Sequence, residues 1–484
     1  MTDTRSTASR IRGGLGWSTT SNLVLRIGNF CVSIIMARII APEQFGVFAV
    51  ALTVYAILGT LAEFGLGSDL VRSTDFERRA PTVASLGLIT SGMLGLTMAL
   101  SASLLADAFD APGATDTIRL MSVTLLVFGF SIVPSARLQR DYRQRALFAI
   151  NATALVLSTG VLTALALLGL GPLALAVGQI VSQTVMVVGQ FIATKRPLRL
   201  GFDKQIARES AAFCLPLALA NLVSWLLLSV DNLVVARVLG PTLLGLYALA
   251  FNVSSWPMNA VGQAIRVVAL PAFAQLADHR SRSTAMARAV GTVWAVSLLL
   301  GVTLAVFATP AIELLYGSRW RGAAVALIGL GAFGGIRVVF DLMVTYLIAA
   351  GNTRTVLAIQ AIWLAVMVPA MYVGVRTFGL SGAGWTHAAV AVGIVLPAYL
   401  VALRRADVSV AALLRGCLLP TLAVIPYVVV GIGIVKYSPS PPLAILFGGI
   451  AAVMLYVLPL SRWWLRRVRS LRPTTTAQST SPST

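Results

Sequence analysis

Residues 37–54 read ARIIAPEQFGVFAVALTV, and residues 236–253 read ARVLGPTLLGLYALAFNV. The two stretches lie at a constant offset of 199, and the match extends back to residues 22–24 and 221–223, which both read NLV. Over residues 22–54, ten of the 33 ungapped positions are identical. Apolar sequence matches itself easily, so the Ala and Val identities carry little weight, but Arg, Pro, Gly and Asn recur at the same offset. The chain therefore contains an internal repeat.

The composition around this repeat indicates a membrane protein. Hydrophobic residues make up 57% of the 484 residues and charged residues only 11%, against about 25% charged residues in a typical soluble domain. A helix needs roughly 20 apolar residues to cross the hydrocarbon core of a bilayer. We predict an all-α polytopic membrane protein with about fourteen such helices, at 15–40, 46–66, 81–107, 116–135, 146–168, 172–193, 209–236, 241–265, 289–314, 322–349, 355–375, 380–402, 412–434 and 441–461.

The basic residues predict the orientation of these spans. The formal net charge is +20, and the Lys and Arg residues form short clusters between apolar runs. The loops on the amino-terminal side and the tail together carry 27 of them, and the opposite loops carry 5. By the positive-inside rule, both termini are cytoplasmic, and the charge reflects topology rather than binding of nucleic acid. The loops predicted to be cytoplasmic contain Arg78, Arg143, Arg199, Arg282 and Arg405.

The position of the repeat predicts the domain organisation. The repeat starts at the first span and again at the seventh, so each unit holds six spans and both enter the membrane from the same side, as parallel repeats do. The predicted parts are a cytoplasmic segment at 1–14, an N-lobe at 15–198, a C-lobe at 199–404, two further helices at 405–465 and a cytoplasmic disordered tail at 466–484.

The repeated segment itself predicts a tight turn at the outer end of two helices. Pro42 and Pro241 follow the ends of predicted spans, where proline can end one helix and begin the next. Gly46 and Gly245 lack a side chain and permit close approach of the returning helix. We interpret this segment as structural rather than as a substrate site.

Four segments make the chain similar to a known family. They read ARIIAPEQFGVFA at 37–49, EFGLGSDLVR at 63–72, DNLVVARVLGPTLLGLYA at 231–248 and LPAFA at 270–274. On these segments the chain resembles the polysaccharide transporter family, the O-antigen-type flippases of the MATE-like exporter superfamily. The resemblance implies two six-helix lobes around a central cleft, plus two C-terminal helices.

The same resemblance implies a substrate and a location. The substrate is a polyprenyl-diphosphate-linked oligosaccharide, which moves from the cytoplasmic to the outer leaflet of the bacterial cytoplasmic (inner) membrane by alternating access. We expect membrane lipids, a polysaccharide polymerase and glycosyltransferases as partners. The alternative is a multidrug or cation antiporter of the same superfamily, which would export cationic compounds.

The residue inventory argues against an enzyme. The chain has two His and three Cys residues, and no His, Cys, Asp and Glu residues cluster with metal-site spacing. No Gly-rich loop opens a phosphate-binding helix, and no loop is long enough for an aqueous catalytic domain. We predict no catalytic residues, no metal and no cofactor.

Charged residues inside predicted spans are the candidate functional residues. A charge near the bilayer centre costs at least about 2.5–3.5 kcal/mol, so it normally faces a cavity or a partner. Arg26 and Arg337 lie near the middle of spans one and ten, and Asp341 follows Arg337 by one turn on the same helix face. Asp231 lies towards the outer end of span seven, and Glu63 towards the inner end of span two.

These charges support two interpretations. Arg26, Arg337 and Asp341 are candidate substrate-binding residues, and Asp231 and Asp341 are candidate carriers of a coupling ion. Arg337 and Asp341 form either a substrate-responsive pair or a permanent structural salt bridge, and Arg26 either binds substrate or joins helices through an ion pair. Residues 329–335 contain four glycines, so another backbone or a bulky head group could approach that face of span ten.

Overall fold

The computed structural model describes residues 24–63, 65–275 and 279–470. These residues are helical almost throughout, and they form two compact units that meet in sequence between Ala248 and Leu249. Unit 1 ends at Ala248 and unit 2 begins at Leu249. The predicted segment 1–14, the start of the first span and the tail beyond 470 lie outside the described residues.

The helices of unit 1 follow the predicted spans closely. They are α1 (24–39), α2 (Pro42–Glu63), α3 (Leu66–Arg72), α4 (Phe76–Leu100), α5 (Ala102–Ala108), α6 (Thr115–Arg140), α7 (Gln144–Leu167), α8 (Pro172–Thr194) and the first part of α9 (Lys204–Gln275). A 3₁₀ turn at Pro112–Ala114 precedes α6.

Unit 2 contains the remainder of α9 and eight further helices. These are α10 (His279–Val306), α11 (Ala308–Tyr316), α12 (Ala323–Ala349), α13 (Thr353–Val390), α14 (Leu396–Arg405), α15 (Val410–Tyr437), α16 (Pro441–Ala452) and α17 (Leu458–Ser470). A 3₁₀ turn at Ser318–Trp320 precedes α12, and π-helical turns at Ala391–Val395 and Val453–Val457 join α13 to α14 and α16 to α17.

Two glycines divide long helical segments into separate spans. Gly240 interrupts α9 with φ 82° and ψ 176°, and Gly379 interrupts α13 with φ 58°. Both conformations have positive φ, which glycine adopts without the steric cost that a Cβ atom imposes. Each break falls between two predicted spans, so one continuous helical segment holds both.

The all-α membrane fold predicted from composition is confirmed. Eleven segments of the described residues are long and apolar enough to cross a membrane, and the segment Thr353–Arg405 alone covers two predicted spans. The count of fourteen and the lobe boundaries remain predictions, since the first span begins outside the described residues.

Small residues set the helix spacing in both units. In unit 1, a Cβ atom added at Gly95 of α4 would lie 3.0 Å from the carbonyl oxygen of Ser122 on α6. In unit 2, a Cβ atom at Gly301 of α10 would lie 2.6 Å from the carbonyl oxygen of Gly331 on α12. Close approach of backbones through small residues is typical of membrane helices, because apolar side chains gain little by leaving lipid.

The connecting segment 195–203 runs from α8 to α9 and is tied to α4. The amide of Gly201 donates to Ser85 Oγ at 3.2 Å, and the amide of Asp203 donates to Thr82 Oγ1 at 3.1 Å. Hydrogen bonds from the amides of Ile206 and Gln205, together with nearby Arg78, lower the pKa of the Asp203 carboxyl.

Candidate functional site

The sequence-predicted charges of α12 are half-buried but are not joined to each other. Arg337 and Asp341 are both partly accessible, and no ion pair of the described residues connects them within 4 Å. Spacing alone places the two side chains on one helix face, but it does not bring their charged atoms into contact. Whether they respond to substrate stays a prediction.

The glycines that precede Arg337 pack against other helices of unit 2. A Cβ atom at Gly329 would overlap the backbone of Gly384 on α13, and one at Gly335 would lie 2.8 Å from the carbonyl oxygen of Ser297 on α10. A Cβ atom at Gly334 would lie 2.9 Å from the side chain of Met258. The sequence allows either another backbone or a bulky head group to approach this face. In the structure, the backbone of neighbouring helices approaches it.

The other predicted charges lie in unit 1 in different surroundings. Arg26 is half-buried in α1, and Glu63 is exposed at the end of α2. Asp231 is 2% exposed and lies in the first part of α9. The structure thus buries one of these three candidates almost completely.

Asp231 is held by two hydrogen bonds, one of which crosses the helix break at Gly240. The hydroxyl of Tyr247 donates to Asp231 Oδ2 at 2.6 Å, and the amide of Asn232 donates to Oδ1 at 2.8 Å. Tyr247 follows the break and Asp231 precedes it, so this bond connects the two arms of a helical hairpin, residues 229–248. We call it the second hairpin.

The first hairpin, α1 and α2, has apolar residues at the corresponding positions. Subtracting the repeat offset from Asp231 and Tyr247 gives Val32 and Phe48. Both side chains pack against the buried cluster of the first hairpin that includes Met36 and Ile40. The repeat conserves the turn, but only the second hairpin holds a buried carboxylate.

The turns of the two hairpins contact each other reciprocally. A Cβ atom at Gly46 would overlap the carbonyl oxygen of Pro241, and a Cβ atom at Gly245 would overlap the carbonyl oxygen of Pro42. Each repeat therefore places its glycine on the proline of the other repeat. The sequence correctly marks these glycines as sites of close approach, but the backbone that approaches is that of the other copy rather than the returning helix.

A buried ionic cluster, absent from the sequence-based candidates, lies at the other end of these helices. Asp69 of α3 is 1% exposed. Its carboxylate accepts hydrogen bonds from Ser210 Oγ at 2.8 Å, Arg79 Nη2 at 3.2 Å and Arg72 Nη2 at 3.4 Å. Arg79 also reaches Glu209 at 3.1 Å, so the cluster ties α3 and α4 to the start of α9. We call these five residues the Asp69 cluster.

A signal for this cluster was present in the sequence. Asp69 is an acidic residue in the otherwise uncharged run of residues 64–71, and an isolated carboxylate among apolar residues normally has a partner. Its partner Ser210 lies 141 positions away in the sequence, so spacing along the chain cannot identify it.

A second, more exposed ion pair lies beside the Asp69 cluster. Arg137 of α6 donates two hydrogen bonds to the carboxylate of Glu77 on α4, at 2.6 and 2.9 Å. The Arg137 guanidinium also lies 4.8 Å from the ring centre of Phe76. The Arg137 side chain is 18% exposed and that of Glu77 is 70% exposed, so water reaches the carboxylate.

Unit 2 has an aromatic cluster around a buried histidine. His387 of α13 is 8% exposed and stacks on Phe333 of α12 with ring centres 5.0 Å apart. Phe251 lies 6.4 Å away, in a tilted orientation. In the part of the chain that the structure describes, no group of three or more His, Cys, Asp or Glu side chains could hold a metal ion.

The chain matches known proteins over most of its length. A family described as polysaccharide biosynthesis protein matches residues 35–325. The succinoglycan biosynthesis transport protein ExoT of Rhizobium meliloti is 29% identical over 353 residues, which is 71% of this chain and 70% of ExoT.

Solved structures share the fold. The lipid II flippase MurJ, in an inward closed conformation, matches with a TM-score of 0.77 at 13% identity, over 93% of this chain and 99% of MurJ. An inward-facing multidrug resistance MATE family transporter matches with a TM-score of 0.62 at 18% identity, over 79% of this chain and 94% of that one. At these identities the likeness concerns the fold, which is MATE-like as predicted.

Proposed function

This chain belongs to the family of polysaccharide biosynthesis proteins, and we propose that it translocates a lipid-linked oligosaccharide across the membrane for assembly of a cell-surface polysaccharide. The observation that carries the proposal is the family match over residues 35–325, which includes both copies of the repeated segment. The similarity to a succinoglycan transport protein over about 70% of both chains supports it, and so does the fold shared with a lipid II flippase.

The carrier lipid in this proposal is a polyprenyl diphosphate. Arg337 in α12 and Arg26 in α1 are half-buried cations in apolar helices, and a guanidinium binds a phosphate group through two parallel hydrogen bonds. We assign both as contacts of the diphosphate during translocation, and Asp341 as the residue that offsets the charge of Arg337 when no substrate is present.

Coupling to an ion gradient is part of the proposal, with Asp231 and Asp341 as carriers. Asp231 is the stronger candidate, since its carboxylate is buried and is held by the Tyr247 hydroxyl. A buried carboxylate in a membrane span normally serves an ion pathway or a structural pairing. Flipping that continues unchanged after both the proton and the sodium gradients are collapsed would exclude coupling.

The proposed location is the bacterial inner membrane, with both termini in the cytoplasm. Glycosyltransferases would supply the lipid-linked oligosaccharide on the cytoplasmic side, and a polymerase would use it on the outer side. Labelling of single cysteines in a variant that lacks Cys31, Cys214 and Cys417 tests the orientation. A cysteine at Arg143 is expected to stay unlabelled from outside, whereas one at Tyr437 is expected to react.

The function is tested with purified protein in vesicles. Fluorescent polyprenyl-diphosphate oligosaccharide is reconstituted on one leaflet, and its appearance on the other leaflet is measured. Arg337→Gln is expected to abolish translocation at unchanged protein abundance, and Arg354→Gln, the same change at an exposed site, is expected to keep it. Transport of cationic dyes without translocation of the lipid would instead support the antiporter.

A further inference from the structure

A cavity of about 160 Å³ lies in unit 1 where α4, α6 and α8 meet the connecting segment 195–203. Its walls are partly apolar, with Val133 of α6 and Phe191 of α8 among the lining residues. The volume is several times the roughly 30 Å³ that one water molecule occupies in the liquid. The cavity therefore has room for a small polar group and the first carbons of an attached chain.

The charges around this cavity are mostly positive. Arg137 lines it but is already bound to Glu77 through two hydrogen bonds. Arg196 and Arg199 line it as well; both are exposed, and the charge of each acts on the Glu77 carboxylate, which also lines the cavity. Among these four charges three are positive and one is negative, so the opening has a net positive charge that favours an anion.

The backbone that carries these two arginines is anchored. The connecting segment is hydrogen-bonded to α4 through Gly201 and Asp203, and Arg78 lies 3.7 Å from the Asp203 carboxylate. The opening thus keeps a defined position relative to the apolar wall. The positive-inside count predicts that this edge of the helices lies at the cytoplasmic surface of the membrane.

We propose that the cavity binds an anionic phospholipid, with the headgroup phosphate between Arg196 and Arg199 and the first acyl carbons against Val133 and Phe191. A soluble anion would contact only the arginines, whereas a lipid in the adjoining leaflet contacts both the arginines with its headgroup and the apolar wall with its acyl chains. Basic residues close to a membrane surface attract anionic lipids. This inference does not rest on the transport function, because it concerns a lipid that stays bound rather than one that is moved.

The test is native mass spectrometry of the full-length protein in detergent with added phosphatidylglycerol or phosphatidylcholine of identical acyl chains. The wild type is expected to retain phosphatidylglycerol and to release phosphatidylcholine. Arg196→Gln/Arg199→Gln is expected to bind phosphatidylglycerol roughly 25-fold more weakly, since each basic side chain at a membrane surface contributes about a factor of five in affinity. The control, Arg404→Gln/Arg405→Gln, removes the same charge from exposed residues at the end of α14 and is expected to bind like the wild type.

Three results would overturn the proposal. Equal loss of phosphatidylglycerol in both double variants would mean that net charge alone governs binding. Displacement of the lipid by millimolar inorganic phosphate would identify a site for a small soluble anion. Stronger binding of a polyprenyl diphosphate than of phosphatidylglycerol, lost in Arg196→Gln/Arg199→Gln but not in the control, would make the cavity a substrate site.

Discussion

The helices of the first repeat contact the first part of α9 at two places, and the two contacts differ in chemistry. At one end, the turns of the two hairpins meet backbone to backbone through Gly46 and Gly245. At the other end, the Asp69 cluster joins α3 and α4 to Ser210 and Glu209 through charged and polar side chains. The first end is built from residues that the repeat conserves, and the second from residues that it does not, because the positions 199 after Asp69 and Arg79 are Val268 and Asp278.

This difference indicates different physical demands at the two ends. Backbone contact through glycine depends on shape, and any added atom disrupts it. A buried carboxylate with several donors depends on charge, and it becomes costly when one partner is removed. Variants that change only shape or only charge therefore separate the two ends.

The largest effect is expected for Asp69→Asn, which keeps the shape and removes the charge. The Arg79 side chain is only 18% exposed and would lose its buried anionic partner. Removing one member of a buried ion pair typically destabilises a protein by about 3–5 kcal/mol. Thermal unfolding in detergent measures the loss. Asp116→Asn is the control, because the exposed ion pair of Asp116 with Arg119 contributes at most about 1 kcal/mol to stability. Equal melting temperatures for the two variants would show that the Asp69 cluster contributes no more than a surface pair.

A somewhat smaller loss of stability is expected for Gly46→Ala and Gly245→Ala, which each add a methyl group and no charge. Each methyl group would overlap a backbone carbonyl of the other hairpin, and overpacking of this kind costs typically about 1–3 kcal/mol. Both variants are expected to lower the melting temperature and to reduce surface polysaccharide in a strain that lacks the native gene. Gly160→Ala, on α7 with open space around it, is expected to be neutral or stabilising by up to about 1 kcal/mol. If the Gly46 and Gly245 variants behave like the Gly160 variant, the hairpins do not need their close contact.

The asymmetry between the hairpins is tested by giving the second hairpin the residues of the first. Tyr247→Phe alone removes a donor from a buried carboxylate and is expected to cost about 1–3 kcal/mol. Asp231→Val/Tyr247→Phe removes both partners and is expected to recover part of this loss, as coupled neighbours do in double-mutant cycles.

Transport separates the two roles of Asp231. If Asp231 carries an ion, the double variant is stable but no longer responds to the ion gradient. A stable double variant with wild-type coupling would assign the Asp231 and Tyr247 pair to structure alone.

The smallest effect is expected for Glu77→Gln, which removes a carboxylate next to the Asp69 cluster. Its pair with Arg137 has good geometry, but the Glu77 side chain is 70% exposed. Exposed pairs contribute about 0.2–1 kcal/mol, and salt screens them. The melting temperature of Glu77→Gln is expected to differ from that of the wild type by little, and by less still in high salt. A loss as large as that of Asp69→Asn would mean that burial is not what distinguishes the two carboxylates.

Much of the fold could be predicted from the sequence, and the reasons are local. Apolar runs of span length predict membrane helices because the bilayer requires that length and excludes unpaired backbone groups. The glycines at 46, 245, 329 and 335 could be predicted as points of close approach, because a residue without a side chain lets another backbone come near. The family resemblance found on the repeated segments is confirmed by the match over residues 35–325.

The candidate site could be predicted less completely. Spacing placed Arg337 and Asp341 on one helix face, and among the described residues no ion pair within 4 Å joins them. Asp69 is not among the sequence-based candidates, although it is 1% exposed and three side chains donate hydrogen bonds to its carboxylate. A four-residue separation determines only which side of the helix a residue occupies, whereas the contact depends on rotamers and on the neighbouring helices.

The sequence by itself determined that this chain forms apolar helices of membrane-spanning length and which positions repeat. Those properties follow from hydropathy, proline and glycine within single segments, and the bilayer imposes them on each span separately. Only the tertiary structure decided that Gly46 meets Pro241, that Asp69 meets Ser210, and that Asp231 is held by Tyr247. Such contacts join residues up to 195 positions apart. Many apolar faces could pack together, and which of them do so depends on the fit of all the helices at once.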